Sequence, residues 1–290
     1  MRTIRIGVAA PGSRIDATIA ERVTRLADMQ FGARATLRFH PQCFLASGHF
    51  AGTDEERADA FVELANDPDL DAVWIARGGY GACRIVPRVL SRLGPDAAGK
   101  TYLGYSDAGS LLSAVYGQGG HVAHGPMPAD ILREGGDRTV VRALSFLLDG
   151  TPETLEPSID PETPVVAFNL TILCHLLGTP YEPDFSGHVI MLEEVSEHLY
   201  RIDRALCQLT RNEKMRRAAG FRLGRVSLVP PNEPEFGRTP EEIIRHWCAD
   251  SGIPWLGAAD IGHDADNKIV PFGLLRPWRR WFRRHEPDDA

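Results

Sequence analysis

Four short stretches place chemically useful side chains where apolar sequence runs out. Ser106 stands in LGYSDAG, Glu193 and Glu194 close VIMLEEV, His263 sits in ADIGHDADN, and Arg77-Gly78-Gly79-Tyr80-Gly81 follows WIA. A serine hydroxyl attacks well only when a base removes its proton, and the base works best when a third group orients it. Ser106 lies between a short apolar run and an apolar-periodic stretch, with Gly104 two places before it. That resembles a G-x-S-x-G strand-to-helix elbow, although Ala108 takes the second glycine position and Gly109 comes one place late. The same serine would equally serve as a helix N-cap, and the local sequence leaves both readings open.

The other stretches divide in the same way. Glycines in RGGYG let backbone amides face outward without a Cβ, so the loop suits a phosphate or an oxyanion. It matches neither the dinucleotide nor the P-loop spacing, and a plain tight turn fits as well. His263, one of ten histidines, has glycine before it and acids after it, and is the candidate base. DADN lacks the glycine and distal glutamate of a calcium loop, so no metal is expected there. Of Glu193 and Glu194, strand alternation turns one toward the core, where it needs a partner, and the other away. The plain alternative is two surface carboxylates and a surface histidine.

The positioning elements can be read around these residues. Strands are expected at 3–10, 35–40, 71–76, 101–104 and 121–125. Helices lie between them, one capped by Asp16 and one opening on the Thr53/Glu56 capping-box spacing. Such alternation gives a parallel sheet covered by helices, with active groups past the C-terminal ends of the strands, here at 77–81 and 104–107. Residues 1–150 form this first domain, the proline-rich 151–164 reads as a linker, and 165–290 forms a smaller mixed α/β domain. That second domain includes a helix capped by Thr239 and stopped by Gly252.

Composition narrows the class. The chain has 290 residues, 43% hydrophobic content and a net charge of −7, which suits a soluble protein and argues against a general nucleic-acid binder. No run approaches the ~20 apolar residues of a membrane span, and the N-terminus lacks a secretory apolar core. Five scattered cysteines without a C-x-x-C spacing read as free, buried thiols in the cytoplasm. A basic aromatic tail, with Arg276, Arg279, Arg280, Arg283 and Arg284 among Trp278, Trp281 and Phe282, reads as a docked or frayed terminus with a solvated basic face.

Taken in order, GVAAPGS, RGGYG, GYSD, HGPM, NLTILCHLLGTPYEPDFSG, LEEVSEHLYRIDR and IGH…VPFG resemble the LD-carboxypeptidases. That serine peptidase group includes murein tetrapeptide carboxypeptidases and microcin C immunity peptidases. The resemblance implies an N-terminal flavodoxin-like α/β domain and a C-terminal swivelling β/β/α domain. It implies Ser106 as nucleophile, His263 as base and Glu193 as the orienting acid, with Glu194 the fallback. The Gly79 and Asp107 amides would be the oxyanion donors. It further implies a homodimer acting on a small muropeptide without a cofactor, rather than on nucleic acid or within a membrane. Two departures fall beside the expected substrate pocket: Ala167 and Phe168 replace a usual glycine pair, and Ala108-Gly109 follows GYSD where threonine is common. Three readings follow: a D-alanine-trimming peptidase, an immunity-type peptidase acting on a peptidyl nucleotide, or a non-catalytic small-molecule binder.

Overall fold

The computed structural model describes residues 3–275 and 278. Its first sheet is built from short strands that, apart from the edge strand at 35–39, are almost wholly buried, the signature of a parallel sheet covered on both faces. In chain order these are β1 (Ile4–Ala9), β2 (Ala35–Phe39), β3 (Ala72–Ile75), β4 (Thr101–Gly104) and β5 (His121–His124). Each lies within a residue or two of its expected position. They run parallel in the order β2-β1-β3-β4-β5, the flavodoxin-like arrangement.

Alternation sorts the side chains between two helical layers. Ile4, Ile6, Val8 and Trp74 face the helices α1 (Ala17–Phe31) and α5 (Gly136–Asp149). Val73, Ile75 and Tyr102 face α2 (Asp54–Asn66), α3 (Ala82–Leu90) and α4 (Gly109–Gly117). Thr53 caps α2 as the sequence indicates: its hydroxyl accepts from Glu56 N–H at 3.2 Å, and the Glu56 carboxylate accepts from Thr53 N–H at 2.7 Å. Asp16 occupies the N-cap position of α1, but its side chain makes no capping bond.

The second half forms a four-stranded parallel sheet in the order β6 (Val165–Asn169), β7 (Val189–Val195), β8 (Gly220–Ser227), β9 (Trp255–Ala258). Val166, Phe168, Ile190, Leu192 and Phe221 pack with α6 (Leu170–Leu176), α7 (Leu199–Arg211) and α8 (Pro240–Ser251). Thr239 and Gly252 bound α8 as expected. This apolar layer is continuous with that of α2–α4, so the two sheets share a core. The chain then returns: β10 (Val270–Pro271) pairs antiparallel with β5 on the first sheet.

Residues 151–164 connect the halves but do not hang free. Glu156 is buried, its N–H donates to Ile269 O at 3.0 Å, and its carboxylate accepts from Asp260 N–H at 3.0 Å. Of the basic aromatic tail only Trp278 is described; it is buried, donating its indole N–H to Phe272 O at 3.1 Å. Arg276, Arg279, Arg280, Trp281, Phe282, Arg283 and Arg284 lie outside the described residues. The five cysteines are unpaired; Cys43, Cys174 and Cys248 are buried as expected, Cys207 is partly buried and Cys83 is exposed. No helix among the described residues is long and apolar enough to cross a membrane.

The strand order switches direction between β1 and β3, and the loops after these strands touch. A Cβ at Gly12 would lie 2.2 Å from Gly79 O, closer than any real contact. Gly12→Ala must therefore push the two loops apart. It is expected to cost ~1–3 kcal/mol, seen as a lower denaturant midpoint with unchanged far-UV circular dichroism.

Candidate active site

Ser106 is the second residue past β4, after Tyr105, and its backbone is bent into the left-handed region at φ 62°. A non-glycine residue there carries a conformational cost that the surrounding structure must hold in place. Gly104 allows the turn, since a Cβ at that position would lie 2.8 Å from an Ile75 side-chain carbon. Tyr105 and Ala108, not Ser106, take the N-cap positions of the turn and helix that follow, and the Ser106 side chain points to the His263 imidazole, with Oγ 3.1 Å from Nε2. The elbow reading therefore describes this turn and the N-cap reading does not. Gly78 leaves the same hydroxyl open, because a Cβ there would lie 3.0 Å from Ser106 Oγ. Gly79 beside it has φ 101° and leaves room only for Ser13.

Both glutamates are buried, Glu193 at 0% and Glu194 at 2% exposure, because β7 is an inner strand that is almost wholly covered. The surface reading thus fails for each. Their partners differ. Glu193 Oε2 lies 2.5 Å from His263 Nδ1. Glu194 is held by Asn169 Nδ2 at 2.6 Å, Thr171 N–H at 3.0 Å, the Thr171 hydroxyl at 2.7 Å and Val195 N–H at 2.9 Å. It ties the ends of β6 and β7 to the start of α6 and is not available to the histidine. A bulge in β8 opposes Glu193, where the register with β7 shifts between Leu192 and Glu194. Gly224 in that bulge leaves space that a Cβ would fill at 3.2 Å from Glu193 Cβ. Bulges commonly re-aim side chains at functional sites in this way.

His263 lies in the loop between β9 and β10, and residues from both halves hold that loop. Arg225 of β8 pairs with Asp260 at 2.6 Å and with Asp264. From α5, Arg142 Nη1 donates to Ala265 O and Asn267 O, each at 2.9 Å, and Thr139 donates to Ala265 O at 2.8 Å. Asp264, the first acid of DADN, is thus a structural counterpart to Arg225; no group of side chains suited to a metal occurs among the described residues.

The electrostatics follow from burial and pairing. Burial pulls the His263 pKa down, but the Glu193 carboxylate more than reverses this and holds it above the ordinary histidine value. Burial raises the Glu193 pKa, against the opposing pull of the imidazole. Asp107 is also raised by burial, with His263, His175 and His49 opposing. Behind the site, burial depresses His124 of HGPM to about 3, so this histidine stays neutral and packs on Tyr105 with ring centres 5.4 Å apart.

The fold thus gathers Ser106, His263 and Glu193 into one hydrogen-bonded row; Asp107 follows the serine in the chain, and Gly79 follows Gly78, which abuts the serine hydroxyl. Ala167 and Phe168 do not line an open pocket: both are buried, and Phe168 packs 3.4 Å from where a Gly109 Cβ would be. Sequence reasoning missed Arg225, Gly224, Arg142 and Arg133. Their contacts to the His263 loop span up to 130 positions, and nothing local marks them.

A serine on a strained strand-to-helix turn, an imidazole and a buried carboxylate in one row is the arrangement that serine hydrolases use. The chain matches the LD-carboxypeptidase N-terminal domain over residues 6–125 and the C-terminal domain over residues 162–275, and it belongs to that serine peptidase family. A probable murein peptide carboxypeptidase of Bacillus subtilis is 31% identical over 240 residues, covering 78% of this chain and 74% of that one. The murein tetrapeptide carboxypeptidase of Pseudomonas aeruginosa is 28% identical over 299 residues, covering 93% and 91%. The muramoyltetrapeptide carboxypeptidase structure from Oxalobacter formigenes superimposes with a TM-score of 0.77 at 26% identity, covering 92% and 93%. Ser106 falls in the first matched domain, and Glu193 and His263 fall in the second.

The different environments of the two glutamates predict different behaviour. Glu194→Ala strips the acceptor from several buried donors, at ~1–3 kcal/mol for a donor left unsatisfied. Urea denaturation is expected to show a loss of at least ~2 kcal/mol; a variant as stable as the parent would contradict a structural role for Glu194.

Proposed function

We propose that this protein is a serine LD-carboxypeptidase. It hydrolyses the bond between an L-configured centre, diaminopimelate or lysine, and the terminal D-alanine of a murein tetrapeptide. The observation that carries the reading is the row Ser106 Oγ–His263 Nε2 at 3.1 Å and His263 Nδ1–Glu193 Oε2 at 2.5 Å. The names of its relatives supply the substrate class.

Ser106 Oγ attacks the scissile carbonyl carbon while His263 Nε2 takes its proton. The oxyanion that forms is received by the amides of Gly79 and Asp107, each such donor being worth ~2.7–4 kcal/mol. Collapse breaks the C–N bond, and the departing D-alanine amine takes the proton from His263. Water, deprotonated by the same imidazole, then hydrolyses the acyl-enzyme and frees the tripeptide and Ser106. Glu193 accepts from Nδ1–H throughout, fixing the tautomer and stabilising the imidazolium. The polarity of the helix after the elbow adds a favourable field at the oxyanion. The free cysteines favour a cytoplasmic location, and the family resemblance brings a homodimer with it.

Release of D-alanine from defined tetrapeptides tests the reading. Ser106→Ala is expected to abolish release while the fold survives. Glu193→Gln is expected to lower kcat on the order of 10⁴-fold. It should also move the acid limb of kcat/KM to lower pH, because the charge that holds His263 high is gone. Full activity in Ser106→Ala would remove the nucleophile. Faster hydrolysis of a peptidyl nucleotide than of any tetrapeptide would move the substrate to the immunity kind, and turnover of neither would favour a non-catalytic binder.

A further inference from the structure

The base is gripped from behind as well as from its ring. Arg133 follows the short turn after β5, and its guanidinium makes three contacts in different directions. Nη1 donates to the backbone carbonyl of His263 at 2.7 Å, Nε to Asp130 Oδ1 at 2.7 Å, and Nη2 to the Tyr105 hydroxyl at 3.3 Å. Tyr105 in turn donates to Asp130 Oδ1 at 2.9 Å, and Asp130 Oδ2 accepts from Met127 N–H at 2.8 Å. Tyr105 and Asp130 are both buried, so the bonds from Tyr105 and Met127 to Asp130 are shielded from competing water, while the Arg133 side chain is partly exposed.

The contacts close a ring around the reacting pair. Tyr105 is the residue before Ser106, and its aromatic ring packs against the His263 imidazole, ring centres 4.8 Å apart and planes tilted by 56°. A path therefore runs from Ser106 through the peptide bond to Tyr105, through Arg133 to the His263 backbone, and through the imidazole back to Ser106 Oγ. One side of that ring belongs to the first half of the chain and the other to the second. Packing of two large apolar layers fixes their relative position only to the tolerance of side-chain contacts. A planar fork that bonds both sides at once is far stricter.

We propose that Arg133 is a positioning residue for the reaction, locking the His263 backbone to Tyr105 and Asp130 so that Nε2 stays within reach of Ser106. This rests on the reading of His263 as the general base. A second consequence follows from its charge. The groups facing His263 are Glu193 of β7, Tyr105 at the end of β4, Asp107 beyond the elbow, His124 of β5, and Asp130 with Arg133 after β5. On its own loop Asp264 is already paired with Arg225. Arg133 is the cation of this set and disfavours the imidazolium, whereas Asp130 without its partner would favour it. Both effects of losing Arg133 raise the pKa of the base.

The test compares the whole protein with Arg133→Gln and Arg133→Lys. D-alanine release is followed from pH 5 to 9, and the low-field proton resonance of His263 Nδ1 is recorded without substrate. Arg133→Gln is expected to lower kcat about 10- to 100-fold, the cost of a small misplacement, with KM little changed and the acid limb shifted to higher pH. Arg133→Lys keeps the charge but not the fork. It should return the limb to its original pH while restoring only part of kcat. A merely structural arginine would lower the yield of folded protein without moving the limb. Unaltered kcat and pH profile in Arg133→Gln would overturn the proposal. If that variant does not fold, wild-type kcat in Arg133→Lys would overturn it equally. Should the parent protein release no D-alanine from any muropeptide, the functional reading fails by itself. The proton resonance then decides for Arg133: a shift in Arg133→Gln supports the positioning role, and an identical resonance refutes it.

Discussion

A single imidazole spans the two halves of this chain. His263 reaches a hydroxyl on the first sheet through one nitrogen and a carboxylate on the second through the other. A carboxylate buried at 0% exposure is costly to ionise, and it is tolerated only beside a strong hydrogen-bond donor. The histidine supplies that donor, and the carboxylate in return raises the affinity of the histidine for a proton. Among the described residues neither group has an equivalent charged partner, so the relation rests on the position of one half against the other.

Much of the fold can be understood as holding that relation. The shared apolar layer brings the sheets together, and β10 stitches the end of the second half onto the edge of the first. Both halves also grip the loop carrying His263, the first through Arg133, Arg142 and Thr139 and the second through Arg225. Glycines then clear the space where side chains would obstruct. Gly78 leaves the serine hydroxyl open on one side, and Gly224 lets the bulge of β8 accommodate Glu193. The strain at Ser106 is held by well-packed neighbours, as expected where rigidity serves reactivity.

The first sheet was legible because its strands are short, β-rich and separated by helices with recognisable caps; TIRIGVAA, DAVWIA and TYLG announce themselves by pattern. Ser106 could be located but not assigned, since an elbow and an N-cap share the same local sequence and only φ and the hydrogen-bond partner separate them. The Glu193/Glu194 choice was harder. Alternation says that the two point opposite ways, but not which face meets a histidine 70 positions later. The surface alternative failed because β7 is covered on both faces, Leu192 packing with the helices and Met191 with Ile261 and Val270, which no single strand reveals. Arg133, Arg142 and Arg225 were illegible for a simpler reason: an arginine in a polar turn looks solvated until the loop it holds is folded against it.

The most direct check on the central claim is the chemical reactivity of the serine itself. After treatment with an active-serine phosphonate, peptide mapping by mass spectrometry should find one adduct, on Ser106, formed at a rate that collapses when His263 is replaced by alanine. An adduct on another serine, or labelling of Ser106 that is indifferent to His263, would contradict an imidazole-activated nucleophile built from both halves of the chain.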